Sequence, residues 1–332
     1  MRVRRTAAAV ALAVALAGCT GPDRTGGQDS APGAGPTPTG TATAAPPGGS
    51  APGVAPTEEF AVGVRQLAYN RGGDRPLAVT VWYPAAGRGS GSGGSRRSPA
   101  RDAPVADGRF PVVLFSHGLT ARPTDYQALL TPWVAAGFVV VAPTYPFTSR
   151  GAPSYQVLDV VNQPADASYV LTQVLALDSR RGDPLRGHLA TDRVAAAGHS
   201  AGGVTTIGLF TVGRDERLDA GIVLAGTALG VGTAFSGTAA PQLFVHGKLD
   251  EVVAYSAGKA AYDKVPWPKA MLTLPDGGHG GGLLGRQPRA LEVIVGTTTE
   301  FLRWTLYGDP AAKRRLPDRA RRGGLATLDN QL

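Results

Sequence analysis

RVAAAGHSAGGVTTIGLF, residues 193–210, changes character at its midpoint. Residues 193–198 form a short apolar run of the kind that makes a buried strand, and residues 201–210 carry small and apolar residues over a helical length. Ser200 stands at the changeover, with Gly198 and Gly202 two residues away on either side and Gly203 beyond. Glycine supplies 46 of the 332 residues, so such a pentapeptide arises by accident easily and is judged by its surroundings. A strand turning directly into a helix is the surrounding that gives it meaning. The tight turn lifts the serine oxygen above the sheet edge, and side chains at 198 or 202 would obstruct it.

The flanking sequence supplies a sheet for this strand to belong to. FPVVLFS (110–116), FVVVAPT (138–144), AGIVLAG (220–226), PQLFVHG (241–247) and KAMLTLP (269–275) are short apolar runs. Helical spacing fills the intervals at 124–136, 165–177, 201–210 and 255–265, and again at 289–308, with Thr124 placed to cap the first of these helices. Uniformly apolar strands alternating with helices predict an α/β fold, a mainly parallel sheet flanked by helices on both faces. FAVGVRQLAY (60–69) and LAVTVWYP (77–84) alternate apolar and polar residues and predict antiparallel leading strands. The Gly/Ser/Arg-rich stretch from Ala85 to Arg109 reads as a loop.

A serine hydroxyl needs a base, and the base an orienting acid. His279, in the glycine-rich LPDGGHGGG after the last apolar strand, is the candidate base. Asp250, just after PQLFVHG, is the candidate acid, with Asp276 and Glu251 as nearby competitors. The order Ser200, Asp250, His279 is that of one group of serine nucleophile triads. Backbone N–H groups of Ala201, at the helix start, and Leu119, in SHGLT after the strand at 110–116, are candidate oxyanion donors. The segment from Tyr145 to Tyr155 is placed to line the substrate pocket. Among the remaining histidines, His117 reads as structural, His188 as a solvent-exposed loop residue, and His246 as packing beneath the turn that carries Asp250. No two of the five histidines have zinc-ligand spacing, and neither metal nor cofactor is expected.

The N-terminus reads as an address. Arg2, Arg4 and Arg5 precede an apolar stretch from Thr6 to Ala17 that is short for a membrane span. Leu16-Ala17-Gly18-Cys19 resembles the lipobox of bacterial lipoproteins, and Cys19 is the single cysteine. The resemblance implies a signal peptide over 1–18, lipid attachment at Cys19, and export to the extracytoplasmic face of a membrane. Residues 19–57, rich in Pro, Gly, Thr and Ala, read as a tether, leaving 58–332 for the folded domain. One cysteine excludes an intramolecular disulfide. The formal charge of +8 comes mainly from arginine without interleaved aromatics, so no nucleic-acid partner is expected.

Taken together, FPVVLFSHGLTARPTDYQALLTPWVAAGFVVVAPTYP, GHSAGG, HGKLDEVV and GGHGG resemble the α/β-hydrolase superfamily over residues 60–307. They are most similar to its dienelactone-hydrolase-like, chlorophyllase-like and platelet-activating-factor-acetylhydrolase-like serine esterases. The resemblance implies hydrolysis of a small-molecule or lipid ester through an acyl-enzyme on Ser200. Peptidase, acyltransferase and inactive binding protein are the alternative readings. Dienelactone hydrolases carry cysteine where Ser200 stands, and Ala201 replaces the methionine common in polyester hydrolases. Mammalian-type acetylhydrolases take their acid after the strand following the elbow. AGIVLAGTALG offers none there, which favours Asp250. The tail YGDPAAKRRLPDRARRGGLATL (307–328) is assigned to the same domain.

Overall fold

The apolar runs become a parallel sheet buried on both faces. A computed structural model of the chain describes residues 55–88 and 99–332. The expected signal peptide, Cys19 and most of the expected tether lie outside the described residues. Strands β1 (Phe60–Arg71), β2 (Arg75–Arg88), β3 (Ala100–Arg101), β4 (Phe110–Ser116), β5 (Val139–Thr144) and β6 (Leu189–His199) are followed by β7 (Leu218–Leu224), β8 (Gln242–Gly247), β9 (Lys269–Leu274) and β10 (Thr327–Gln331). They form one sheet in the order β10-β9-β8-β7-β6-β4-β5-β2-β1-β3. β5, β4, β6, β7, β8 and β9 are mutually parallel. β2 joins β5 antiparallel, and β1 joins β2 antiparallel.

Alternate residues of each central strand face opposite layers. Val113 and Phe115 of β4 point into a layer with Leu130 and Trp133 of α1 (Gln127–Ala135) and Phe301 of α5 (Pro288–Tyr307). Val112 and Leu114 point the other way, onto Val170 and Leu171 of α2 (Gln163–Leu175). The short α3 (Ala201–Gly208) and α4 (Tyr255–Asp263) cover the same side further along, through Ile207 and Tyr262 packed on Phe244. Each fully buried Val, Leu or Phe contributes roughly 1.5–3 kcal/mol relative to exposure, so this two-sided burial dominates the fold's stability. Trp133 satisfies its indole N–H by donating to Thr298 Oγ1 at 3.0 Å, which joins α1 to α5.

The hairpin turn between β1 and β2 is tied to α2 by ions. Asp166, fully buried in the first turn of α2, accepts from Arg71 Nε at 2.6 Å and from Arg75, whose guanidinium also pairs with Asp159 at 2.8 Å. These contacts neutralise two buried carboxylates.

Three details depart from expectation, and the tail, expected in the same domain, takes a form the sequence reading did not specify. The segment opening α1 is a 3-10 turn over Pro123–Tyr126, and Thr124 does not cap it. Asp125 instead accepts the Arg122 backbone N–H at 2.9 Å. The stretch read as a loop from Ala85 is partly ordered into the sheet, since β2 runs on to Arg88, Val105 bridges Ala85, and β3 pairs with β1. The tail is built into the domain as α6 (Pro310–Arg321), with Leu316 and Ala320 buried, and β10 on the β9 edge. Ala55 is buried and the Pro56 carbonyl accepts from Arg303 at 3.1 Å, so packed chain begins before residue 58.

Candidate active site

The C-terminal ends of the parallel strands gather the residues singled out by sequence. β6 ends at His199 and α3 begins at Ala201, leaving Ser200 alone in the turn with φ 57° and ψ −120°. A non-glycine residue held there costs about 1–3 kcal/mol, strain that the surrounding structure must enforce. Enforcement comes from close backbone approach. A Cβ at Gly198 would overlap the Gly202 carbonyl, and a Cβ at Gly202 would overlap the Ser116 carbonyl of β4. The Ser200 N–H is fixed to the Leu224 carbonyl at 2.9 Å.

His279 reaches Ser200 from the glycine-rich turn after β9. Its Nε2 lies 2.9 Å from Ser200 Oγ, and its Nδ1 lies 2.8 Å from Asp250 Oδ2. A carboxylate only accepts, so Nδ1 carries the proton and Nε2 is free to accept from the serine hydroxyl. Asp250 sits in the turn after β8, where its Oδ1 accepts the N–H groups of Val252 at 2.9 Å and Val253 at 2.8 Å. Burial pushes its pKa up, but donation from His246, His279 and the Val253 N–H outweighs burial and holds the carboxyl well below the usual range. His246 gives its closer contact, 2.9 Å, to the Val253 carbonyl and stands 3.3 Å from Asp250. It lies under the turn as expected. Asp276 and Glu251 are exposed and take no part in this cluster.

The two expected oxyanion donors flank the serine. Leu119 lies in the cleft wall beside Ser200, and Ala201 is the first residue of α3. Their neighbours are engaged: Gly118 N–H donates to Tyr126 Oη at 3.0 Å and Thr120 N–H to the Thr148 carbonyl at 2.8 Å. Among the described residues neither the Leu119 nor the Ala201 N–H donates to a protein acceptor. The cleft encloses about 540 Å³ and is lined by Leu119, Ser200 and His279 together with Ala121, Leu284, Arg150 and Arg286.

The segment from Tyr145 to Tyr155 lines this cleft only through Arg150. Tyr145 is buried elsewhere, its hydroxyl 2.7 Å from Ser116 Oγ, and Tyr155 is exposed. His117 is structural: Nδ1 donates to the Gly118 carbonyl at 2.8 Å and Nε2 accepts the Tyr145 N–H at 3.1 Å. Burial pushes its pKa down to about 4. His188 is half-buried rather than fully exposed, with Nδ1 3.0 Å from the Gly108 carbonyl. Among the described residues no group of three or more His, Cys, Asp or Glu side chains is arranged to hold a metal.

Two residues at the site escaped the sequence reading. The buried ring of His199, next to the nucleophile, lies between Tyr126 Oη at 2.9 Å and the His279 carbonyl at 2.7 Å. Its place inside GHSAGG was the only available signal.

The fold is shared with solved structures. A ferulic acid esterase from Streptomyces cinnamoneus superposes with a TM-score of 0.62 at 20% identity, covering 84% of this chain and 99% of that one. The chain has the α/β-hydrolase fold. The chlorophyllase family model matches residues 98–241. The matched stretch contains Leu119, Ser200 and Ala201 but ends before Asp250 and His279. Platelet-activating factor acetylhydrolase of Cavia porcellus is 29% identical over 172 residues, and that of Canis lupus familiaris 27% over 173. Each match covers 40% of this chain and 38% of the relative, so the chain spans well under half the length of these curated relatives.

Proposed function

We propose that this protein is a serine hydrolase of carboxylic esters. The observation that carries the reading is the continuous hydrogen-bond path from Ser200 Oγ through His279 to Asp250, with distances of 2.9 Å and 2.8 Å. Proteins named esterase and acetylhydrolase among its structural and sequence relatives support the same reaction class.

In this reading Ser200 Oγ attacks the ester carbonyl as His279 Nε2 takes its proton. Asp250 keeps the imidazole in the Nδ1–H tautomer and stabilises the imidazolium that forms. The Leu119 and Ala201 N–H groups take the oxyanion, whose charge exists only in the transition state and intermediate, so their stabilisation lowers the barrier. His279 then protonates the departing alkoxide, and water attacks the acyl-enzyme with His279 as base. Export and tethering through lipidated Cys19 complete the proposal, supported by the composition of residues 1–57.

Fluorophosphonate labelling tests the nucleophile. The wild type is expected to label at Ser200 and to hydrolyse p-nitrophenyl butyrate, and Ser200→Ala to do neither. Undiminished hydrolysis by Ser200→Ala would refute the assignment. Incorporation of radiolabelled palmitate that is lost in Cys19→Ser would support the anchor.

A further inference from the structure

The turn that carries His279 has almost no side chains with which to hold itself. Glycine occupies 277, 278, 280, 281 and 282. Such a turn is costly to order, because glycine loses the most conformational freedom. Yet a general base must be held to a fraction of an ångström, since a misplacement of about 1 Å costs on the order of 100-fold in rate. Backbone bonds hold its flanks, from Leu249 N–H to the Gly277 carbonyl at 2.9 Å and from Leu284 N–H to the Gly280 carbonyl at 3.0 Å, and the carbonyl of residue 279 itself is met by the ring of His199, whose Nε2 lies 2.7 Å away.

The proton positions in this contact follow from its partners. A carbonyl only accepts, so His199 Nε2 carries a hydrogen. In the neutral ring Nδ1 then accepts, and the group 2.9 Å away is the Tyr126 hydroxyl. Tyr126 donates there, and its oxygen accepts the Gly118 N–H at 3.0 Å. The result is a one-directional chain from Gly118 N–H to Tyr126 to His199 to the carbonyl of His279. It begins on the residue before Leu119, passes through the residue before Ser200, and ends on the base. Tyr126 and His199 are 1% and 4% exposed, so each bond is made out of water and each unmade one would leave an orphaned polar group.

We propose that Tyr126 and His199 are positioning residues that set the oxyanion loop and the His279 turn at a fixed separation around Ser200. The proposal rests on the ester-hydrolase reading above. Burial, and then the neighbouring His279, push the His199 pKa down to about 4, which keeps the ring neutral beside an imidazole that must become cationic during the reaction. The two rings lie 4.8 Å apart between centroids. A charged His199 would both oppose that cation and reverse the bond to Tyr126.

Three substitutions and one spectrum test it. The amide nitrogen of glutamine matches imidazole Nε2 in reach, whereas the asparagine amide matches only Nδ1. His199→Gln keeps the donor to the His279 carbonyl, the bond that sets the base, and loses only the acceptor for Tyr126, so it is expected to keep kcat for p-nitrophenyl butyrate within about fivefold of wild type. His199→Asn and Tyr126→Phe should lose about 10- to 100-fold in kcat, with KM moving less than about threefold. Equal kcat in the Gln and Asn variants, whether both high or both low, would overturn the proposal. So would a loss of kcat that vanishes when rates are normalised to folded protein. Nitrogen-15 NMR of the histidine-labelled wild type needs neither a variant nor turnover. It should show His199 as the Nε2–H tautomer from about pH 5 to about pH 8, and a ring titrating near pH 6.5 or carrying hydrogen on Nδ1 would overturn the network. A wild type that resists fluorophosphonate would instead count against the ester-hydrolase reading, leaving the NMR result to decide the hydrogen bonds.

Discussion

His279 Nδ1 and the carboxylate of Asp250 lie 2.8 Å apart although 29 residues and a whole helix–strand unit separate them in the chain. The contact is made because β8 and β9 are neighbouring parallel strands, so the turns leaving their C-terminal ends emerge side by side. Asp250→Asn leaves an amide oxygen for the Val252 and Val253 N–H groups but cannot hold His279 in the Nδ1–H tautomer as a carboxylate does. We expect kcat for p-nitrophenyl butyrate to fall by about 10⁴-fold with little loss of thermal stability. Wild-type turnover in this variant would move the orienting role away from Asp250.

The elbow depends on absent side chains. Gly202→Ala would drive a methyl group into the Ser116 carbonyl, at a place where backbone on both sides is held by β4 and α3. Neither partner is a flexible side chain able to step aside. A loss of more than about 3 kcal/mol in denaturant-monitored stability is expected, in the range reserved for core overpacking and backbone conflict. Fluorophosphonate labelling should fall even in whatever fraction remains folded. A variant as stable as the wild type would show that the turn has room the geometry does not indicate.

The elbow and the acid were legible because each is a local pattern: a buried strand running into a helix at Ser200, or a strand ending just before Asp250. Their partners followed from the rule that parallel strands present their C-terminal ends together. The Tyr126–His199 pair was not legible in this way. Tyr126 occupies an apolar position of a helical pattern, and nothing in its neighbourhood indicates that its hydroxyl meets a ring 73 residues away. β10 was hidden for the opposite reason. Its five residues, TLDNQ, are almost all exposed and polar, and they pair with β9 through the backbone with only Leu328 packed against the core. The segment after β5 departs from its pocket-lining expectation because burial against Ser116 and His117 takes Tyr145 beneath the cleft.

Two buried histidines predict sensitivity to acid. His117 and His199 have pKa values pushed down to about 4, chiefly by burial, from an ordinary value of 6.5. Between those two pH values the unfolded chain binds protons that the folded chain refuses, so stability decreases as pH falls from about 6.5 towards 4. The cost is on the order of 3 kcal/mol for each ring once both limits are passed. Asp250 adds to the loss at still lower pH, because its stabilised carboxylate must then be protonated. Melting temperature measured against pH should fall through this window, and His117→Gln should flatten part of the slope. A melting temperature constant from pH 7 to about pH 4 would contradict neutral burial of both rings.

The ion cluster joining the β1–β2 turn to α2 should matter for stability and not for chemistry. Asp166 is fully buried and receives both Arg71 and Arg75, while Asp159 receives Arg75 and the neutral side-chain amide of Asn162 at 2.9 Å. Two carboxylates beside a guanidinium that is 12% exposed hold the Arg75 charge firmly in place. Removing one side of a buried pair leaves the other uncompensated, at a cost of about 3–5 kcal/mol. Asp166→Ala should lose stability in that range. In Asp159→Ala the Asp166 carboxylate still pairs with Arg75, so this variant should lose less. The cluster sits on the turn between two antiparallel strands and the first turn of α2, and none of its residues lines the cleft. Ser200 in the folded fraction of either variant should therefore label with fluorophosphonate at the wild-type rate. A selective loss of labelling in folded Asp166→Ala would show that the hairpin communicates with the elbow through α2 and α3, which pack against each other.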